Sequence, residues 1–170
     1  MHTMEIDRIQ IRRLGPADAA VYRDIRLEGL RCDPEAFGST FEAENALPLT
    51  SFSERLLSGA KMFGAFDGSE IVGVAGLLIG KGRKEAHKGR LVGMYVRPGS
   101  RKTGVGRRLV ESIIELAGQW VELVQLSVVR DNEAARRLYE RLGFVEYGIE
   151  RKALKQNGRY YDEVLMAKDL

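Results

Sequence analysis

The chain has one cysteine in 170 residues, Cys32, so it closes no internal disulfide and is expected to work in the cytoplasm. No apolar run approaches the ~20 residues that a membrane-spanning helix needs. Met1 to Gln10 lacks the apolar stretch of about 7–15 residues that marks a secretory signal. Internal repeats, low-complexity tracts and linkers are also missing, and at roughly 100–200 residues per domain the span 1–170 reads as one domain. An excess of charge is missing too, with 27 Lys+Arg against 24 Asp+Glu and a net +3. What the chain does have is 44% hydrophobic residues, enough to bury a core and to exclude disorder.

The small net charge hides an uneven distribution. Between 81 and 108 lie ten basic residues (Lys81, Arg83, Lys84, Lys88, Arg90, Arg97, Arg101, Lys102, Arg107 and Arg108) and one acid, Glu85. That segment carries +9 and the remainder −6. Such a strip is expected to attract an anion.

Periodicity places the elements. Ile6 to Leu14 alternates as a half-buried strand, and Pro16 opens a helix carried by Val21, Ile25 and Leu30 until Asp33-Pro34 breaks it. Glu35 to Pro48 has little periodicity. Ser51-x-x-Glu54 reads as the capping box of a second helix. Met62–Phe66 and Ile71–Ile79 form a hairpin on Asp67-Gly68, the second strand apolar enough to be covered on both faces. A basic loop at 80–89 leads to the strand Leu91–Val96. The helix Val105–Ala117, the strand Val121–Val129 and the helix Asn132–Leu142 follow, the last closed by Gly143. Phe144–Leu154 and Tyr160–Lys168 then pair around Asn157-Gly158. The order β-α-α-β-β-β-α-β-α-β-β predicts a mixed α/β (α+β-like) fold with a mostly antiparallel sheet of about seven strands and four helices.

The densest chemical signal is Arg101-Lys102-Thr103-Gly104-Val105-Gly106, between a strand and a helix N-terminus. That junction exposes unpaired amides and the positive end of the helix dipole, and glycines let an anion approach. Arg101, Lys102, Arg107 and Arg108 add charge suited to linked phosphates. Two other phosphate motifs fail on spacing. A Walker A loop needs Gly-Lys-Ser/Thr where Gly99 to Gly104 is followed by Val105-Gly106. A dinucleotide fingerprint would have Leu109 at its third small position.

Arg101-x-x-Gly104-x-Gly106 after Met94-Tyr95-Val96-x-Pro98 resembles the acetyl-CoA loop of the GNAT superfamily of N-acetyltransferases. Asn132-x-x-Ala135, Leu138-Tyr139-Glu140 and Gly143-Phe144 resemble the downstream segment of the same superfamily. The resemblance implies a V-shaped opening between the strands Leu91–Val96 and Val121–Val129. In it, Met94, Tyr95 and Val96 would hold the pantetheine arm, and the loop Arg101, Lys102, Thr103, Gly104, Val105, Gly106 and Arg107 the pyrophosphate. Asn132 would lie near the cofactor arm, and Tyr139 would be the acid that protonates the departing thiolate. A phenol suits that task because its pKa of about 10 is near that of an alkyl thiol. No metal is expected.

Where many members carry a general base, this chain has Leu91 and Ser127, so a water chain, Glu42 or Glu44 is left for the role. The implied reaction is direct transfer of acetyl from acetyl-CoA to a primary amine, on a small molecule or on a peptide or protein. Glu35–Pro48 would fold over the acceptor groove, and selectivity is expected within 31–58. The −6 outside the strip favours a cationic acceptor, with an amino acid equally open. A homodimer is left open. Two other classes are a non-catalytic acyl-CoA-binding module and a nucleic-acid-binding domain. Tyr95 is the only aromatic residue in the basic strip, so no stacking platform accompanies the charge, which argues against nucleic acid. On local pattern alone, Tyr139 lies on an apolar stripe, Cys32 is a small buried or semi-buried residue, His87 is on the surface and Trp120 is in the core or at its edge.

Overall fold

The structure, a computed structural model, describes residues 8–170. Residues 6 and 7, where the first strand is expected to begin, lie outside the described residues. Seven strands, β1 (Ile9–Arg13), β2 (Lys61–Asp67), β3 (Glu70–Ile79), β4 (Lys88–Val96), β5 (Leu123–Val129), β6 (Val145–Gln156) and β7 (Arg159–Asp169), form one sheet in the order β1-β2-β3-β4-β5-β7-β6. Neighbours are antiparallel except β4 and β5, which run parallel. The Asn157-Gly158 turn joins β6 to β7 with both residues at positive φ, as a tight two-residue hairpin requires.

The helices are α1 (Ala19–Cys32), α2 (Phe41–Asn45), α3 (Leu49–Ser58), α4 (Val105–Ala117) and α5 (Glu133–Arg141). The sequence predicts four helices, and the described residues contain five. The addition is α2, a single turn that a local cap creates without apolar periodicity: Thr40 Oγ1 accepts from the Ala43 amide at 3.2 Å. The Ser51 capping box does not form. The helix starts two residues earlier, with extended Pro48 as its N-cap and the Ser51 amide already bonded to the Pro48 carbonyl at 3.0 Å.

Both faces of the sheet are covered, which accounts for the apolar run in β3. Val72, Ala75 and Leu77 pack in the core beneath α4 with Leu109, Val110 and Ile113. Ile71 and Val74 pack on the other side with Tyr22, Ile25 and Phe52 from α1 and α3. Gly29 lets α1 come close to β4, since a Cβ there would lie 3.1 Å from the Tyr95 ring. The inward face of α1 is thereby set against the C-terminal half of β4.

Candidate active site

The sheet opens in its middle. β4 and β5 pair only at Lys88–Leu123, Gly89–Val124 and Arg90–Gln125, and beyond those pairs they separate. Arg90 marks the apex, its guanidinium donating to Ser127 Oγ at 2.7 Å. On its other side β4 carries a bulge: Val74 faces Tyr95 and Gly76 faces Val92, so one step along β3 spans an extra residue of β4. Gly93 absorbs the kink at φ 64°. Gly93 and Met94 therefore have no ladder partner in either neighbouring strand. A cavity of about 530 Å³ fills the opening.

Residues 91–94 and Ser127–Val129 form two walls of this cavity, with Asn132, Ala135 and Tyr139 from α5 along it. Leu91 and Ser127 thus both face the space, and neither can accept a proton from an ammonium group. Met94 lines the cavity, whereas Tyr95 points its ring into the α1 side of the core and donates its hydroxyl to Glu28 Oε2 at 2.8 Å. Burial and that bond push the Tyr95 phenol above its usual range. Tyr139 is 5% exposed and packs edge-on against Phe144 at 5.8 Å between ring centroids. Its hydroxyl makes no hydrogen bond among the described residues, and burial raises its pKa above the usual 10. Asn132 caps α5, its Oδ1 accepting from the Ala135 amide at 3.2 Å, and it also borders the cavity.

The loop before α4 is curled by positive φ at Lys102 and Gly104. Gly104 is the N-cap of α4 and supplies no side-chain cap, and the Arg108 amide is the first bonded back, to the Gly104 carbonyl at 3.1 Å. The amides of 102–107 make no hydrogen bond to the described residues. Thr103 Oγ1 is turned inward onto the Ser100 carbonyl. Arg101 braces the loop: its Nε donates to the Val96 carbonyl at 2.9 Å and its Nη2 to Asp33 at 2.8 Å. Arg107 is paired with Glu111 at 2.8 Å. A row of uncapped amides at the positive end of a helix fits a diphosphate, and the open strand edge fits an extended amide-bearing arm.

The third wall comes from α1, α3 and the segment 36–39. Its organising residue is Glu44, 2% exposed and the only buried charged side chain among the described residues. Glu44 Oε1 and Oε2 accept from Arg26 Nε and Nη2 at 3.1 and 2.8 Å, and Oε1 also accepts from Arg55 Nη1 at 2.6 Å. Burial alone would raise this carboxyl, but the arginine hydrogen bonds outweigh it and hold it at about 2. A carboxylate so stabilised cannot serve as the base. Glu42 is exposed and away from the cavity, so neither of the two acids expected for the role, Glu42 and Glu44, is placed to serve as the base. Among the described residues the one acid lining the cavity is Glu163 of β7, opposite Val129 in the ladder. Sequence reading missed Glu163, Arg26 and Arg55. Arg26 carried a signal, lying four residues after Tyr22 on the inward face of α1, where a cation among apolar positions is out of place.

The basic strip does not survive as one surface. Lys81, Arg83, Lys84, Lys88 and Arg90 sit at the start of β4, and Arg97, Arg101, Lys102, Arg107 and Arg108 beyond its end. Extended β4 holds even their nearest members along the strand, Arg90 and Arg97, about 23 Å apart. Cys32 is exposed, contrary to the expectation of burial, because it ends α1 on the side away from the core. Trp120 is 58% exposed, under the Lys61 ammonium at 4.9 Å. His87 is exposed as expected. Among the described residues no helix is long and apolar enough to cross a membrane.

Comparison with known proteins agrees with this geometry. The model of the acetyltransferase (GNAT) family matches residues 24–144. N-alpha-acetyltransferase RimI of Mycobacterium tuberculosis is 30% identical over 146 residues, 85% of this chain and 88% of that protein. The L-amino acid N-acetyltransferase AaaT of Escherichia coli is 26% identical over 167 residues, 96% of this chain and 99% of that one. Among solved structures, YncA of Salmonella typhimurium, determined with its cofactor acetyl-CoA, superposes with a TM-score of 0.78 at 20% identity, covering 95% of this chain and 94% of its own. A split sheet with an uncapped loop at its mouth, matched by the family model over most of the chain, makes this protein an acyltransferase that belongs to the acetyltransferase (GNAT) family.

Proposed function

We propose that the protein transfers the acetyl group of acetyl-CoA to a primary amine within a ternary complex. The observation that supports this best is the alignment of the parted strands β4 and β5 with the uncapped amides of 102–107. The loop binds the pyrophosphate through these amides, with Arg101 holding the loop in shape from Asp33. The pantetheine arm runs along Met94, Tyr95 and Val96, with Asn132 across from it. The amine nitrogen attacks the thioester carbon, the C–S bond breaks, and the amine gives up a proton. The backbone at the Gly93–Met94 bulge, unpaired on both sides, receives the charge developing on the thioester oxygen. Tyr139 donates its proton to the departing thiolate. Burial raises the proton affinity of the phenol, and desolvation raises that of a thiolate released into the same cavity, so the transfer stays close to balanced. Glu163, directly or through water, takes the ammonium proton.

The test is a panel of amines assayed for free thiol release from acetyl-CoA, with acetyl-CoA binding followed by calorimetry. Turnover with at least one amine is expected. Binding with no turnover on any amine would instead support a non-catalytic acyl-CoA-binding module. Relatives point to two acceptor classes: the RimI relative is named for N-alpha-acetylation and the AaaT relative for L-amino acids.

A further inference from the structure

The acceptor wall carries a surplus of cations at the place where the amine must arrive. Arg26 and Arg55 share the single carboxylate of Glu44, which sits behind them and does not reach the cavity. The cluster keeps one net positive charge, with the Arg26 side chain 16% and the Arg55 side chain 38% exposed. Arg90 adds a third guanidinium at the apex, bonded to the neutral Ser127 hydroxyl. Against these stands one lining acid, Glu163. Partly desolvated charge of one sign is costly unless an opposite charge meets it.

The direction of the surplus is also fixed. Glu44 occupies Nε and Nη2 of Arg26 and leaves Nη1 unused among the described residues. Nη1 points at the bulge of β4, 3.9 Å from where a Cβ on Gly93 would stand. Gly29, one turn further along α1, brings the helix this close by packing on Tyr95. Glu44 therefore acts as a positioning residue: it holds both guanidinium groups in the cavity wall and leaves Arg26 Nη1 facing the bulge.

We infer that the acceptor is a small amine bearing a carboxylate close to its amino group, an amino acid or close analogue, with that carboxylate held by Arg26 and Arg55. This rests on the acetyl-transfer reading above. A carboxylate two bonds from the amino nitrogen meets the arginine donors while the nitrogen stands at the bulge. A peptide N-terminus carries a neutral amide at that position and leaves the surplus charge unmatched.

The test compares, on the wild-type protein, free L-amino acids with their α-amides and with short peptides of the same N-terminal residue, by thiol release from acetyl-CoA. The free acids are expected to exceed the amides in kcat/KM by about tenfold or more, the worth of a charge-assisted hydrogen bond. Amides or peptides that match or beat the acids overturn the inference and leave acetyl transfer standing. If none of the three classes is consumed, the inference falls, and acetyl transfer falls with it only when no other amine of the panel is turned over. Arg55→Gln, with its folding checked by thermal melting, is expected to lower kcat/KM for the acid about tenfold more than for the amide. Equal losses on the two also overturn the role given to the guanidinium groups.

Discussion

Replacing Glu44 by glutamine keeps the shape of the side chain and removes the charge on which Arg26 and Arg55 converge. The folded carboxyl is held at about 2 against an ordinary value of 4.5. At about 1.4 kcal/mol for each pH unit, the ionised form contributes ~3 kcal/mol to stability. Breaking a buried pair from one side gives a similar figure, about 3–5 kcal/mol, because two guanidinium groups are left facing each other. In a chain of this size the loss corresponds to a fall of about 6–12 °C in melting temperature at pH 7. A depressed carboxyl stabilises the fold fully above its unfolded value and loses that effect as pH falls through its folded value. The advantage of wild type over Glu44→Gln should therefore be constant above pH 4.5 and shrink toward pH 2. Urea unfolding of both proteins across that range, read by circular dichroism, isolates the Glu44 contribution by difference. A variant within about 1 kcal/mol of wild type at pH 7, or a gap that does not narrow in acid, would refute the cluster as drawn.

Three further outcomes follow from the site. Tyr139→Phe removes a hydroxyl with no partner among the described residues, so stability should change little while kcat falls about 100-fold or more; unchanged turnover removes Tyr139 as the acid. Gly104→Glu combined with Arg101→Ala sets a carboxylate over the uncapped amides and frees the loop from Asp33, and calorimetry should show acetyl-CoA binding largely lost; undiminished binding sinks the phosphate assignment. Gly93→Ala meets the Met62 methyl at 3.4 Å and Arg26 Nη1 at 3.9 Å, both ordinary contacts, but must hold φ 64°, so a stability cost of about 1 kcal/mol should accompany a larger loss of activity, and kinetics and melting together decide between a structural and a functional bulge.

Elements whose cause is local were legible in the sequence. The helix Val105–Ala117 was readable to the residue because its apolar spacing and the glycine before it lie within one segment. Asn132 and the Asn157-Gly158 turn followed from chemistry spanning only a few residues. The missed helix α2 is too short to show a period, and Thr40 signals it only through a single cap. The remaining failures have a cause in space. Glu163 comes to the opening because β7 crosses to pair with β5, a step that no spacing near residue 163 records. Charges contiguous in sequence from 81 to 108 are parted by an extended strand, whereas Arg26, Glu44 and Arg55, which no motif joins, converge.

The three residue pairs between β4 and β5 make the opening a sheet edge kept inside the molecule. Exposed edges invite other chains to add a strand, and proteins usually shield them with charge or bends. Here the two inner edges face each other across a space lined by their own fold, so a neighbouring chain cannot reach them. An amide-bearing arm can, and it would lie there as a temporary strand joining the β1–β4 sheet to the β5–β7 sheet. Substrate capture and completion of the sheet are then one event, and the melting temperature should rise with the concentration of whatever fills the gap.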